Sequence, residues 1–258
     1  MNEQNTEVQK VDPSKLPAFI GSAALGKGHE DETESSDFII PRAKLVQYTA
    51  EEVTAENAED RVEPGCMINS ITKEKLDLVF IPIYRYKSYA KWNPMDKRSP
   101  DFDSSYEPGE MIFSTTDKND ERIGTGLEFG DGGEPPKVTE TFNYLSMFPG
   151  QAMPLILSFK RTSIKAAKNM NTMMQLAGGD MFSNKFRLII SKHEEGQRKW
   201  FSLDVRGAGK CTDEEHTLAD SVFEHFRGKG PSVATVVEAH AAPEEGAAKD
   251  AGWDEKQS

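Results

Sequence analysis

The chain has 258 residues, two cysteines and a formal net charge of −12. Two distant thiols with no Cys or His at metal-ligand spacing exclude a disulfide framework and a zinc site and fit a reducing compartment. No run reaches the roughly 18 to 20 apolar residues that a membrane helix needs, and the first ten residues, MNEQNTEVQK, lack the apolar core of a secretory leader, so the expected location is the cytoplasm.

In chain order, residues 1–36 hold seven acids against three bases among Gly, Ser and Asn, a composition that cannot offset the entropy of ordering. They are expected to form a disordered acidic arm. A folded core is expected over residues 37–230. It opens with the extended segment Asp37 to Gln47 (DFIIPRAKLVQ). Residues 51–60 are too acidic and Ala-rich for a strand, and Glu63-Pro64-Gly65 signals a turn. Leu76 to Tyr84 is a β-branched and aromatic strand, and Pro82, which has no N–H to give, marks an edge or a bulge in it. From Trp92 to Pro136, Asp, Ser, Gly and Pro dominate; long loops are expected there, with a hairpin at most around Met111 to Phe113.

Phe142 to Phe148 and Pro154 to Lys160, separated by Pro149-Gly150, read as paired antiparallel strands. Ser163 to Leu176 reads as an amphipathic helix with Ser163 as N-cap and Gly178-Gly179 as its stop. A β-hairpin follows, Phe186 to Ser191 and Lys199 to Val205, turning through His193 to Gln197. Thr212 and Glu215 form a capping box for a closing helix whose buried stripe is expected at Leu218, Val222 and Phe226. Residues 231–258, with six acids and two bases, are expected to be a second disordered acidic segment. The fold class implied is α+β, mainly β: an OB-like barrel with long loop insertions and two short helices, with a β-sandwich or a helix-decorated sheet of another topology as the alternatives.

The charge is unevenly spread. Residues 155–210 contain eleven bases and four acids, whereas residues 37–154 contain 13 bases and 21 acids. Phosphate binding needs Lys and Arg, so a nucleic acid would have to meet the basic segment. The segment Tyr84-Arg85-Tyr86-Lys87-Ser88-Tyr89-Ala90-Lys91-Trp92 interleaves aromatics, which stack bases, with cations, which hold phosphates. Strand alternation puts Tyr84 and Tyr86 on one face. The competing reading is rings finishing a core with Lys and Arg snorkelling around them. A second patch comprises Lys160, Arg161, Lys165 and Lys168 with Arg198, Lys199 and Trp200; as an alternative, these cations form an ordinary solvated face.

Other motifs are weaker. The stretch Gly124 to Gly133 lacks the Lys-Ser/Thr ending and following helix of a phosphate loop and reads as a plain loop. Lys27, in Gly26-Lys27-Gly28, fails the same test. Asp96, Asp101, Asp103 and Glu107 could be gathered around a divalent cation, but acids in a polar loop are more often solvated. The five histidines, His29, His193, His216, His225 and His240, form no ligand or catalytic pattern, and no Ser or Cys sits in a nucleophile elbow. Neither a catalytic residue nor a metal nor a cofactor is expected.

The segments Asp37 to Gln47 and Phe148 to Met174 (FPGQAMPLILSFKRTSIKAAKNMNTMM) resemble a group of tailed-bacteriophage proteins that includes single-stranded DNA-binding proteins of replication and recombination. That resemblance implies an OB fold and a mobile acidic C-terminal tail that contacts replication or recombination proteins and competes for the DNA groove. The tail here, with Trp253 among its acids, departs from that pattern by ending Lys256-Gln257-Ser258. The expectation is therefore passive binding of single-stranded DNA in the cytoplasm of the host cell. The alternatives are a protein-binding or inhibitory protein acting through the acidic 37–154 region, and a metal-dependent nuclease using the Asp96 to Glu107 acids.

Overall fold

A computed structural model describes residues 40–55, 61–196 and 198–227. The arm over 1–36, the tail over 231–258 and residues 37–39 lie outside the described residues, as do Lys27, His29, His240 and Trp253. The strands are β1 Arg42–Leu45, β2 Met67–Asn69, β3 Val79–Trp92, β4 Met111–Thr115, β5 Val138–Met147, β6 Leu155–Lys160, β7 Asn184–Glu195 and β8 Arg198–Lys210. The helices are α1 Glu51–Thr54, α2 Ile164–Ala177 and α3 Asp213–Arg227. The fold is thus mainly β with three short helices rather than two. The additional one, α1, is a single turn.

The strands form one curled half-barrel sheet in the order β2-β1-β6-β5-β3-β7-β8, with β4 also on β3. All pairings are antiparallel except that of β1 with β6, which is parallel. Strand β3 organises the whole. Its first two residues pair with β7, its last four with β4, and Ile81 to Lys91 with β5. Fourteen residues at about 3.3 Å each make a strand of roughly 46 Å, long enough to belong to two differently twisted parts of a sheet. The bend falls where the sequence predicts it: the register with β5 shifts between Pro82 and Tyr84, beside the residue that cannot donate to a ladder.

Both faces of the central strands are buried, which is why they read as nearly continuous apolar runs. Phe80, Phe142, Tyr144, Leu157 and Phe159 point inward to meet Phe186, Leu188, Leu203 and Val205, and Ala166, Ala167 and Met170 of α2 close that core. Their chain neighbours Ile81, Leu145 and Ile156 point the other way, against Ala219 and Val222 of α3. Helix α3 carries the expected capping box, with the Thr212 N–H donating to Glu215 Oε2 (2.8 Å) and the Glu215 N–H to Thr212 Oγ1 (3.2 Å). Of the expected stripe, Val222 is buried and Phe226 packs half-buried on the same core beside Phe223, while Ala219 rather than half-buried Leu218 is the buried residue one turn earlier. Helix α2 has its stop at Gly178 (φ +64°), but Ser163 Oγ makes no cap bond and instead accepts the Leu203 N–H of β8 at 3.1 Å.

The segment read as loops has its own small core, in which Tyr89 and Phe113 pack with Ile123 and Val138. Buried Asn93 shapes it by donating to the carbonyls of Asp103, Tyr106 and Glu107. Gly126 lies so close to Val138 that an added Cβ would come within 2.5 Å of its Cγ2, so packing accounts for that glycine.

Two polar devices knit the sheet. A row of side chains crosses four strands: Asn143 Nδ2 donates to Ser88 Oγ (2.8 Å), Ser158 Oγ donates to Asn143 Oδ1 (2.7 Å), and Arg42 Nη2 donates to Ser158 Oγ (2.6 Å). At the margin of the half-barrel, Gln47 just beyond β1 faces Phe201 of β8. Its Nε2 donates to the Phe201 carbonyl (3.0 Å) and its Oε1 accepts the Phe201 N–H (2.9 Å), so one side chain stands in for a neighbouring strand.

Candidate nucleic-acid interface

Alternation along β3 sorts the aromatic and basic segment onto two faces. Tyr84 and Tyr86 stack on each other, with centroids 6.4 Å apart and planes at 24°, and pack against the core under α3. Arg85 and Lys87 are exposed on the opposite face. Lys87 Nζ lies 4.4 Å from the centre of the Phe142 ring and 2.7 Å from Glu140. Arg85 bonds to the Tyr144 hydroxyl, which donates to Asn171 Oδ1 of α2 at 2.8 Å. Burial pushes the Tyr144 hydroxyl up to about 12, against the opposing pull of Arg85 and Asn171, so it stays a donor. Tyr89 is only 2% exposed, inside the small core, and has no ring face to offer a base. Lys91 and Trp92 are half-buried where β4 pairs with β3.

The second patch is assembled by the Ser163 to Leu203 bond, which sets the start of α2 against β8. Lys160 ends β6, and Arg161, at φ +50°, turns the chain into α2. Lys165 and Lys168 are exposed on α2 and, like Arg85, have no carboxylate partner among the described residues. Lys199 lies 3.6 Å from Glu194, which also pairs with Lys192. Trp200 stacks on His193 across the hairpin (5.3 Å, 15°), and His193 Nε2 is 2.7 Å from Ser202 Oγ. The side chain of Arg198 lies outside the described residues.

Arg85, Lys87 and the α2 cations therefore share the face that α2 closes, while Lys199 and Trp200 sit on the β7–β8 hairpin and Tyr84 and Tyr86 lie behind the sheet. Beside Tyr84, at the edge of β3, opens a cavity of about 460 Å³ lined by Arg85, Phe223 and Arg227, but also by Asp180, Asp220 and Glu224. Three carboxylates against two guanidiniums make it unsuited to a phosphate.

The loop acids are engaged individually: Asp96 pairs with Arg98, Asp101 with Lys137, and Asp103 Oδ1 accepts the Ser105 N–H. Among the described residues no group of three or more His, Cys, Asp or Glu is placed to hold a metal ion, and no helix is long and apolar enough to cross a membrane. Sequence reading missed His193 as the stacking partner of Trp200, although both flank the hairpin turn at mirror positions.

Comparison with known proteins gives one family match: a model described as Pam3 phage gp34-like protein covers residues 6–230. No curated protein and no solved structure matches the chain.

Proposed function

The chain belongs to the Pam3 phage gp34-like family, and we propose that it is a non-catalytic protein that binds single-stranded DNA during phage replication or recombination. The observation that carries this reading is the set of cations without acid partners, Arg85 on β3 with Lys165 and Lys168 on α2, held on one face of a curled sheet. Surface cations are ordinarily interspersed with acids, and a group left unneutralised in a chain of net charge −12 is an electrostatic footprint for phosphate. Phe142, buried beneath Lys87, offers no ring to a base, so Trp200 on the hairpin is the ring surface this reading has for stacking. The curled sheet is read as OB-like, with α2 closing one side. Tyr84, Tyr86 and Tyr89 act in packing rather than in stacking bases.

The test is fluorescence anisotropy of labelled oligo(dT) at two salt concentrations, with duplex DNA as competitor. Single-strand-selective binding that weakens steeply with salt, and weakens further in Lys165→Ala/Lys168→Ala, is expected. Absence of binding at low salt would refute the reading.

A further inference from the structure

Besides Trp200, the outer face of the β7–β8 hairpin holds charged residues that the site above does not use. Glu195 pairs with Arg198 next to the turn, and counting outward in register brings His193 opposite Trp200, Ser191 opposite Ser202, Ile189 opposite Asp204 and Arg187 opposite Arg206. Side chains of directly opposed residues lie about 4.5 to 5.5 Å apart at Cβ, where like charges repel. Arg187 and Arg206 are both exposed, and neither has a carboxylate partner among the described residues. Of the acids nearby in register, Asp204 accepts the Val205 N–H through Oδ1, and Asp77, two residues before the Val79 that pairs with Arg187, accepts the Val79 N–H.

Beyond Arg206, β8 continues as Gly207-Ala208-Gly209. An added Cβ at Gly207 or Gly209 would meet nothing within 4 Å, so packing demands neither glycine, and only Gly209 has a positive φ (+107°). The register of β7 with β8 shifts here, Lys185 facing Gly209 and Phe186 facing Gly207 with Ala208 left over, so these glycines mark a β-bulge that ends the strip just beyond Arg206. From Arg187 to His193 is six residues, about 20 Å along the strand. A stacked Trp200–His193 pair thus sits at one end of a polar strip and two opposed guanidiniums at the other.

We propose that this outer face of the hairpin is a second track for single-stranded nucleic acid, with Arg187 and Arg206 clamping a phosphodiester and the Trp200–His193 stack holding a base. Opposed guanidiniums that repel in the free protein are neutralised when a phosphate lies between them, each able to donate in a fork. The proposal rests on the single-strand reading above and extends it from the α2 face to the hairpin.

Oligo(dT) anisotropy across a salt series, using the full chain, compares wild type, Arg187→Ala/Arg206→Ala and Lys165→Ala/Lys168→Ala. The Arg187→Ala/Arg206→Ala protein should bind more weakly, with the slope of log K against log salt reduced by about 0.7, the value for one neutralised phosphate on a single strand. Its thermal midpoint without DNA should not fall, because a repulsion has been removed. Arg187→Lys/Arg206→Lys, which keeps the charges, should retain most of the slope. If wild type binds and the lysine variant of α2 weakens binding while the arginine variant matches wild type in affinity and slope, the hairpin track is wrong and the α2 face stands. If wild type does not bind at all, both readings fall.

Discussion

Replacing Gln47 by Leu removes both hydrogen bonds across the margin of the half-barrel and keeps the side chain's approximate size. The lost bonds, 3.0 Å and 2.9 Å long, contribute about 0.5 to 1.5 kcal/mol each. Phe201 is half-buried, so its stranded N–H and carbonyl regain part of their hydration rather than all of it. The expected loss is therefore about 2 to 3 kcal/mol, or roughly 5 to 10 °C in thermal midpoint for a core of this size. The Tyr48–Phe201 stack, with centroids 5.0 Å apart, is untouched and keeps the margin from opening wholly. Denaturant unfolding measures the stability, and amide hydrogen exchange reads the Phe201 N–H directly. Gln47→Glu sharpens the test. Its carboxylate can accept the Phe201 N–H but faces the Phe201 carbonyl without a proton to give, so the variant should recover stability as pH falls below the carboxylate range. Unchanged stability and unchanged Phe201 protection in Gln47→Leu would refute the claim that this side chain replaces a strand.

Further outcomes follow from buried or paired groups. Glu52, paired with Lys44 and Lys73 at 2.8 Å each, is held at about 2 instead of 4.5: burial alone pushes it up, but the two lysine bonds and its own backbone bond outweigh that. A depressed carboxylate stabilises above its unfolded value and loses that contribution as pH falls, so stability should drop between about pH 4.5 and 2, by about 1 to 3 kcal/mol after solvent screening, and Glu52→Gln should flatten the curve. Burial raises both thiols, Cys211 to about 11, so neither should react with a maleimide at pH 7 in the folded protein, and both should react on denaturation; rapid labelling of the native protein would contradict the packing. Thr212→Ala should cost about 1 kcal/mol through loss of the cap, measured by urea unfolding.

Local signals were the legible ones. The β5–β6 and β7–β8 pairings, the Gly178 stop and the Thr212–Glu215 box depend on residues near each other in sequence, and each is found in place. What escaped depends on distant partners. Strand β2, only three residues long, takes its place from β1, and the parallel β1–β6 pairing joins segments more than a hundred residues apart. In the stripe of α3, Val222 and Phe226 stand as expected, and only Leu218 gives way to Ala219, a small side chain that is fully buried where the helix meets the sheet. At the site, alternation identifies Tyr84 and Tyr86 as neighbours but equally predicts that Arg85 and Lys87 leave them for the other face. Tyr89 is covered because the polar stretch after Trp92 folds back through Asn93, which no local pattern announces.

The row linking Ser88, Asn143, Ser158 and Arg42 acts as a vernier for strand alignment. Alternation forbids a slip of one residue, since that would turn every apolar side chain to the wrong side, but it tolerates a slip of two. Where both faces of the sheet are buried, the apolar pattern alone does not tell those alignments apart. The polar row does. Sliding β5 by two residues in either direction would take Asn143, fully enclosed, off Ser158 and set it against Ile156 or Lys160, breaking the row at a penalty of about 1 to 3 kcal/mol for each stranded group. A handful of hydrogen-bonding atoms thereby selects one alignment from several that hydrophobic burial would accept, and with it the positions of Arg85 and Lys87 relative to α2.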